Sequence, residues 1–299
     1  MTDRRTEARH AKAIGLELQS DTEILSLLAK GQAEAAQCVE AAVPEIARGA
    51  NLAARALGNG GRLVYAAAGS SGLMALADAL ELPGTYGISL DRIVVLLAGG
   101  MDALRDMRGG PEDDAPAARE AAEALALNAN DCLIAVTASG QTPYPLAAIE
   151  VARAAGASTI GIANNAGAPL FELVDAAICL STPAEVIAGS TRMGAGTAQK
   201  IALNMLSTLM AIRLGHVHDG YMVNVVADNE KLRKRACGIV AAIAGVDEAK
   251  AQSALAASAG AVKPAILIAS GASGPAEAEA LLRQNQGQLR PILADMGCQ

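Results

Sequence analysis

Five short apolar runs, each closing in a loop of small or polar residues, dominate the chain from about residue 60 to residue 185. They read RLVYAAAGSSG, RIVVLLAGG, CLIAVTASGQT, STIGIANNAG and AAICLSTPAE. Runs that are apolar throughout, without alternation, suit strands buried on both faces, as in a parallel sheet. The first four are followed by segments long enough for a crossover or connection. This spacing predicts an α/β fold: an open, mainly parallel five-stranded sheet flanked by helices, with right-handed crossovers. Ligands of such sheets bind beyond the carboxyl ends of the strands, where AGSSG and ASGQT fall. Hydrophobic residues make up 52% of the chain but aromatics only 2%, with no Trp and one Phe. The interior must therefore be Ala, Leu, Ile and Val, packed closely through small side chains.

The flanks are helical. Residues 1–20 are polar and read as an arm. Asp21 is a candidate N-cap for a pattern in which Ile24, Leu27, Leu28, Ala35 and Val39 share a face, and Pro44 begins a new segment. Residues 190–214 (STRMGAGTAQKIALNMLSTLMAIRL) read as one long helix, apolar enough for a core or a dimer contact. After HVHDG come short helical patterns with glycine stops. The division expected is an N-terminal arm and helices over 1–58, a sheet core over 59–219 and a small helical appendage over 220–299.

Several function classes are excluded at this level. A formal net charge of -7 argues against nucleic acid, whose backbone demands a basic surface. No stretch of 18 uninterrupted apolar residues occurs, so no membrane span is expected. MTDRRTEARHAKAIG has no apolar leader core, and cytoplasm is the expected location. Cys38, Cys132, Cys179, Cys237 and Cys298 are scattered without CxxC spacing, as fits reduced, buried thiols. His216 and His218 share no helix face and have no third partner, so no metal is expected. No organic cofactor is implied either, because the glycine loops match neither a Walker loop nor GxGxxG.

The chemistry-bearing candidates sit at strand exits. Ser70 and Ser71, with backbone N–H groups opening a helix, make a cradle for a phosphate. Ser139 and Thr142 offer a second such loop, with Pro143 at the first turn of the next helix. Two hydroxyl-rich loops at equivalent strand ends can converge on one small phosphosugar, although serines at such exits also serve as plain caps. Glu81 lies in ADALELPGTYG before a Pro-Gly break, and Glu112 opens the acidic run of GGPEDDAPAARE. Both lie near strand exits that can face one cleft. Asp113 and Asp114 read as helix-start residues, and Glu112 alone could be another.

AAAGSSG, ELPGTYG, PEDD, ASGQTPY, GSTRMGAGTAQK and LNMLST, in this order, resemble the N-acetylmuramic acid 6-phosphate etherases, a family of the sugar isomerase (SIS) fold class. The similarity runs from TEARH at residue 6 to the helical C-terminus. It implies a metal-free lyase that removes D-lactate from the C3 ether, leaving N-acetylglucosamine 6-phosphate. It also implies a homodimer with sites near the subunit boundary. By this resemblance Glu81 is the acid that protonates lactate and Glu112 the base that takes the C2 proton. Glu185, Ser190 and Lys263 join Ser70, Ser71, Ser139 and Thr142 as candidate substrate contacts, Lys263 being equally readable as a solvated helix-start lysine. An acid needs a raised pKa, and Glu81 sits among Leu80, Leu82 and Pro83.

Three departures bear on the substrate. Leu73, Gln141 and Gly194 stand where the family usually has Arg, Arg and Lys. Each charge-assisted hydrogen bond so lost is worth roughly 1.5–3 kcal/mol. The alternatives are an isomerase or other enzyme on a different amino-sugar phosphate, with Glu112 or Glu185 as base, or a non-catalytic sugar-phosphate sensor.

Overall fold

The computed structural model describes residues 5–297; Cys298 lies outside the described residues. The chain packs as two compact units. One comprises the chain up to Leu80 with Asp91–Ser207, and the other Glu81–Leu90 with the chain from Thr208 on.

The first unit opens with α1 (Asp21–Gln37) and α2 (Val43–Gly58). The residue before α1 is Ser20, not Asp21, and its N–H and hydroxyl both donate to Glu23, at 2.9 and 2.7 Å. This capping pair shifts the cap one residue ahead of the position expected. Pro44 falls in the first turn of α2 as its fixed φ favours. The sheet follows: β1 (Leu63–Ala67), α3 (Gly69–Tyr86), β2 (Ile93–Leu97), α4 (Ala115–Ala124), β3 (Cys132–Thr137), α5 (Pro143–Ala154), β4 (Ser158–Ala163) and β5 (Ala176–Cys179). All five strands are parallel, in the order β2-β1-β3-β4-β5.

Helices cover both faces. Ile160 of β4 meets Gly49 of α2, whereas Ala163, three residues on, joins the opposite cluster under α4 and α5. Twelve of the eighteen buried residues in that cluster are alanines, as the composition required. The helix α6 (Gly194–Arg213) begins four residues later than the sequence pattern suggested. Its start is fixed by Glu185, whose two carboxylate oxygens accept the N–H groups of Gly194 and Ala195 at 3.0 and 2.8 Å. The LNMLST segment anchors α3 to the sheet: Asn204 and Ser207 donate to Asp78 at 2.8 and 2.9 Å, and the buried Tyr65 hydroxyl of β1 donates to it at 3.0 Å.

The second unit holds a short hairpin, β6 (Val217–His218) with β7 (Tyr221–Met222), and the helices α7 (Glu230–Ala244), α8 (Glu248–Ala257), α9 (Val262–Ala269), α10 (Pro275–Gln284) and α11 (Leu289–Asp295). Asn229 and Asp247 cap α7 and α8 through their side chains, and the left-handed Gly245 stops α7. Val240, Ile266, Leu267 and Ile292 form its own core. Among the described residues no helix is long and apolar enough to cross a membrane.

Candidate functional site

Ala67 of β1 pairs with Val136 of β3, so the two hydroxyl loops leave the sheet side by side at its carboxyl edge. On the β3 side, Thr137, Ser139 and Thr142 form one cluster. The Thr137 and Thr142 hydroxyls are 2.7 Å apart, and each lies 3.4 Å from that of Ser139. The N–H of Gln141 donates to the Ser139 hydroxyl at 3.1 Å, and that of Gly140 to Thr137 at 3.3 Å. The turn needs Gly140, whose φ is +71° and whose Cβ, if present, would lie 2.2 Å from that of Ala168. Thr137 was not singled out in the sequence. The signal was there, since it is a hydroxyl residue closing the apolar run CLIAVT just before ASGQT.

On the β1 side the chain passes directly from the strand into α3. The first-turn amides of a helix have no intrahelical acceptor and carry partial positive charge. Ser70 is half-buried and Ser71 buried. Gly69 has φ +52°, and a Cβ there would lie 2.5 Å from Oε1 of Glu112. The Glu112 carboxylate is thus held against the opening turn of α3. Its own turn, Gly110–Asp113, packs against α5, and Asp114 caps α4 by accepting the N–H of Ala117 at 2.9 Å. Burial, with the charge of Asp113 second, raises the Glu112 carboxyl above its ordinary range.

The other candidates are placed differently. Glu185 is buried, and each of its oxygens accepts one N–H from the opening of α6, so in this structure it anchors that helix start. Ser190 lies in the turn before α6, half-buried. Glu81 is not at a strand exit. It lies well inside α3, which runs through Pro83 and Gly84 to Tyr86, so the expected Pro-Gly break does not occur. Glu81 is exposed and Leu80 is 65% exposed, while Leu82 is buried. Within one chain the apolar neighbours read from the sequence do not enclose this carboxyl. Glu112 belongs to the first unit and Glu81 opens the second.

Lys263 is not a solvated lysine. It is only 7% exposed at the start of α9, and its Nζ donates to the carbonyl of Gly287 at 3.1 Å. Burial brings its pKa down to about 8. Nearby, His216 is pushed down to about 4, by burial first and by Lys263 second. Lys263, Asn224 and Arg233 line a cavity of about 860 Å³ within the second unit. Among the described residues no three His, Cys, Asp or Glu side chains are grouped to hold a metal ion. Of the thiols, Cys132 and Cys237 are buried and Cys38 and Cys179 partly so.

The SIS domain profile matches residues 28–164. The N-acetylmuramic acid 6-phosphate etherase of Deinococcus radiodurans is 43% identical over 296 residues, 99% of this chain and 97% of that one. The chain belongs to the N-acetylmuramic acid 6-phosphate etherase family. The etherase of Serratia proteamaculans is 39% identical, over 96% of this chain and 97% of its own. Among solved structures, a phosphoheptose isomerase from Francisella tularensis superposes with TM-score 0.48 and 21% identity, over 65% of this chain and 98% of that one. Of the three departing positions, Gln141 donates its N–H to the Ser139 hydroxyl and Gly194 its N–H to Glu185.

Proposed function

We propose that this chain is a lyase that cleaves the D-lactyl ether of N-acetylmuramic acid 6-phosphate, with Glu112 as base and Glu81 as acid. The hydroxyls of Ser70, Ser71, Ser139 and Thr142 and the first-turn amides of α3 hold the phosphate. Glu112 takes the C2 proton, which the C1 aldehyde of the open-chain sugar acidifies. The electron pair forms the C2–C3 double bond as the C3–O bond breaks, and Glu81 donates its proton to the departing lactate oxygen. Water then adds its hydroxyl to C3, with a proton returned to C2, giving N-acetylglucosamine 6-phosphate. The observation that carries this reading is the Glu112 carboxylate, held beside the opening of α3 with a raised pKa. A base with a higher pKa accepts a carbon-bound proton more readily.

The exposure of Glu81 and Leu80 fits a homodimer in which association encloses the acid, and Lys263 contributes a cation to the substrate's carboxylate. The work is that of a cytoplasmic enzyme recycling cell-wall amino sugar. The test is direct. Wild type incubated with N-acetylmuramic acid 6-phosphate should release D-lactate stoichiometrically; well-folded protein that releases none ends the proposal. Glu112→Gln should lose turnover by roughly 10²–10⁴-fold, together with solvent exchange of the C2 proton. Glu81→Gln should retain that exchange while lactate departure slows, and equal loss of both would remove Glu81 as the acid.

A further inference from the structure

The amino-terminal arm contains an anomaly. In a polar stretch of exposed and half-exposed residues, Thr6 is 1% exposed. Its hydroxyl accepts a hydrogen bond from Nδ2 of Asn165 at 3.1 Å, and its N–H points at Oδ1 of the same side chain at 3.5 Å. The second hydrogen of that Nδ2 goes to the carbonyl of Ala138 at 3.0 Å. Ala138 stands between Thr137 and Ser139 of the hydroxyl cluster. The carbonyl of Thr6, in turn, accepts the N–H of Gly189 at 3.1 Å, next to Ser190. Oε2 of Glu7 lies 3.2 Å from where a Cβ of Gly189 would be. Thr6 thus joins the β4 and β5 exit loops directly and the β3 loop through Asn165, at the edge where open α/β sheets bind ligands.

We propose that Thr6 and Glu7 form a strap across these loops, with Thr6 a positioning residue for the phosphate-binding hydroxyls. Asn165 serves as the relay: its amide is held on one side by Thr6 and grips the backbone of the β3 loop on the other. Freed from Thr6, that amide loses an acceptor and can turn away from Ala138. The hydroxyls of Ser139 and Thr142 then lose their fixed spacing, which matters for ground-state binding of an anion more than for the chemical step. The proposal rests on the phosphosugar reading of the site.

Thr6→Val keeps the shape and removes the acceptor. It should raise KM for N-acetylmuramic acid 6-phosphate about tenfold and leave kcat within twofold, and Thr6→Ser should restore KM. A KM within twofold of wild type in soluble Thr6→Val protein would overturn the strap, whatever its thermal midpoint, because a merely structural threonine affects stability alone. A second measurement needs no variant. Saturating inorganic phosphate should slow amide hydrogen exchange at residues 6–8 together with residues 139–142 of the full chain. Slowing at 139–142 with the arm unchanged would overturn the proposal. Wild type that releases no lactate would sink the etherase reading while the phosphate-exchange result still decides the strap.

Discussion

The two neighbouring strand exits solve the same problem in different ways. At β3 the hydroxyls of Thr137, Ser139 and Thr142 are wired to one another and to the turn's own amides. At β1 the chain drops straight into a helix, and what faces the opening turn is a carboxylate on another segment. The first exit is an organised seat; the second combines a helix start with a charged group that can exchange a proton. On the proposed reading, order is supplied where the phosphate needs fixed partners, and a titratable group where a proton must move.

The contrast can be broken most forcefully at the β3 turn. Gly140→Ala should destabilise the protein by about 2–5 kcal/mol, combining left-handed strain with overpacking against Ala168, readable as a fall in denaturant midpoint. Loss of the wiring alone is smaller. Thr137→Val should cost about 1 kcal/mol of stability and raise KM, whereas Ser70→Ala should leave stability within about 0.5 kcal/mol and change KM only. Equal stability losses in the two variants would show that the β3 network is not prewired.

The finest probe is pH. A carboxyl whose folded pKa exceeds its ordinary 4.5 favours the folded state when protonated. That contribution is fully present below the unfolded pKa and fades as pH rises through the folded one. Above its folded pKa the Glu112 carboxylate is therefore a net cost to the folded state. Glu112→Gln should melt above wild type at pH 7 and lose that advantage below pH 4.5, as followed by thermal unfolding across the range. A variant less stable than wild type at pH 7 would mean the carboxylate is held by favourable contacts instead.

The sheet was legible because five uninterrupted apolar runs have few other uses, and their exits marked the edge where ligands bind. Ser139 and Thr142 followed from that alone. Glu81 did not, because a Pro-Gly pair looks like a stop. Pro83 deprives only the carbonyl four residues back of its donor, and α3 continues to Tyr86. Thr6 was hidden for a different reason: its partner Asn165 is 159 residues away, and nothing local distinguishes a threonine that will be buried by a distant loop. Lys263 read equally as a substrate contact or a solvated helix-start lysine, and only packing shows that it is buried. Sequence periodicity reports what a residue's own element does, and these residues act through elements that are not their own.

The alanine cluster beneath α4 and α5 carries a consequence for how this protein can vary. Alanine has no rotamers, so it gives up no side-chain freedom on burial, and it has none with which to accommodate a larger neighbour. Enlarging a side chain at Ala135, Ala148 or Ala163 must displace neighbouring side chains and backbone, at about 1–3 kcal/mol each. The floor under the hydroxyl seat is thereby stiff, and inheritance has little room to redraw it.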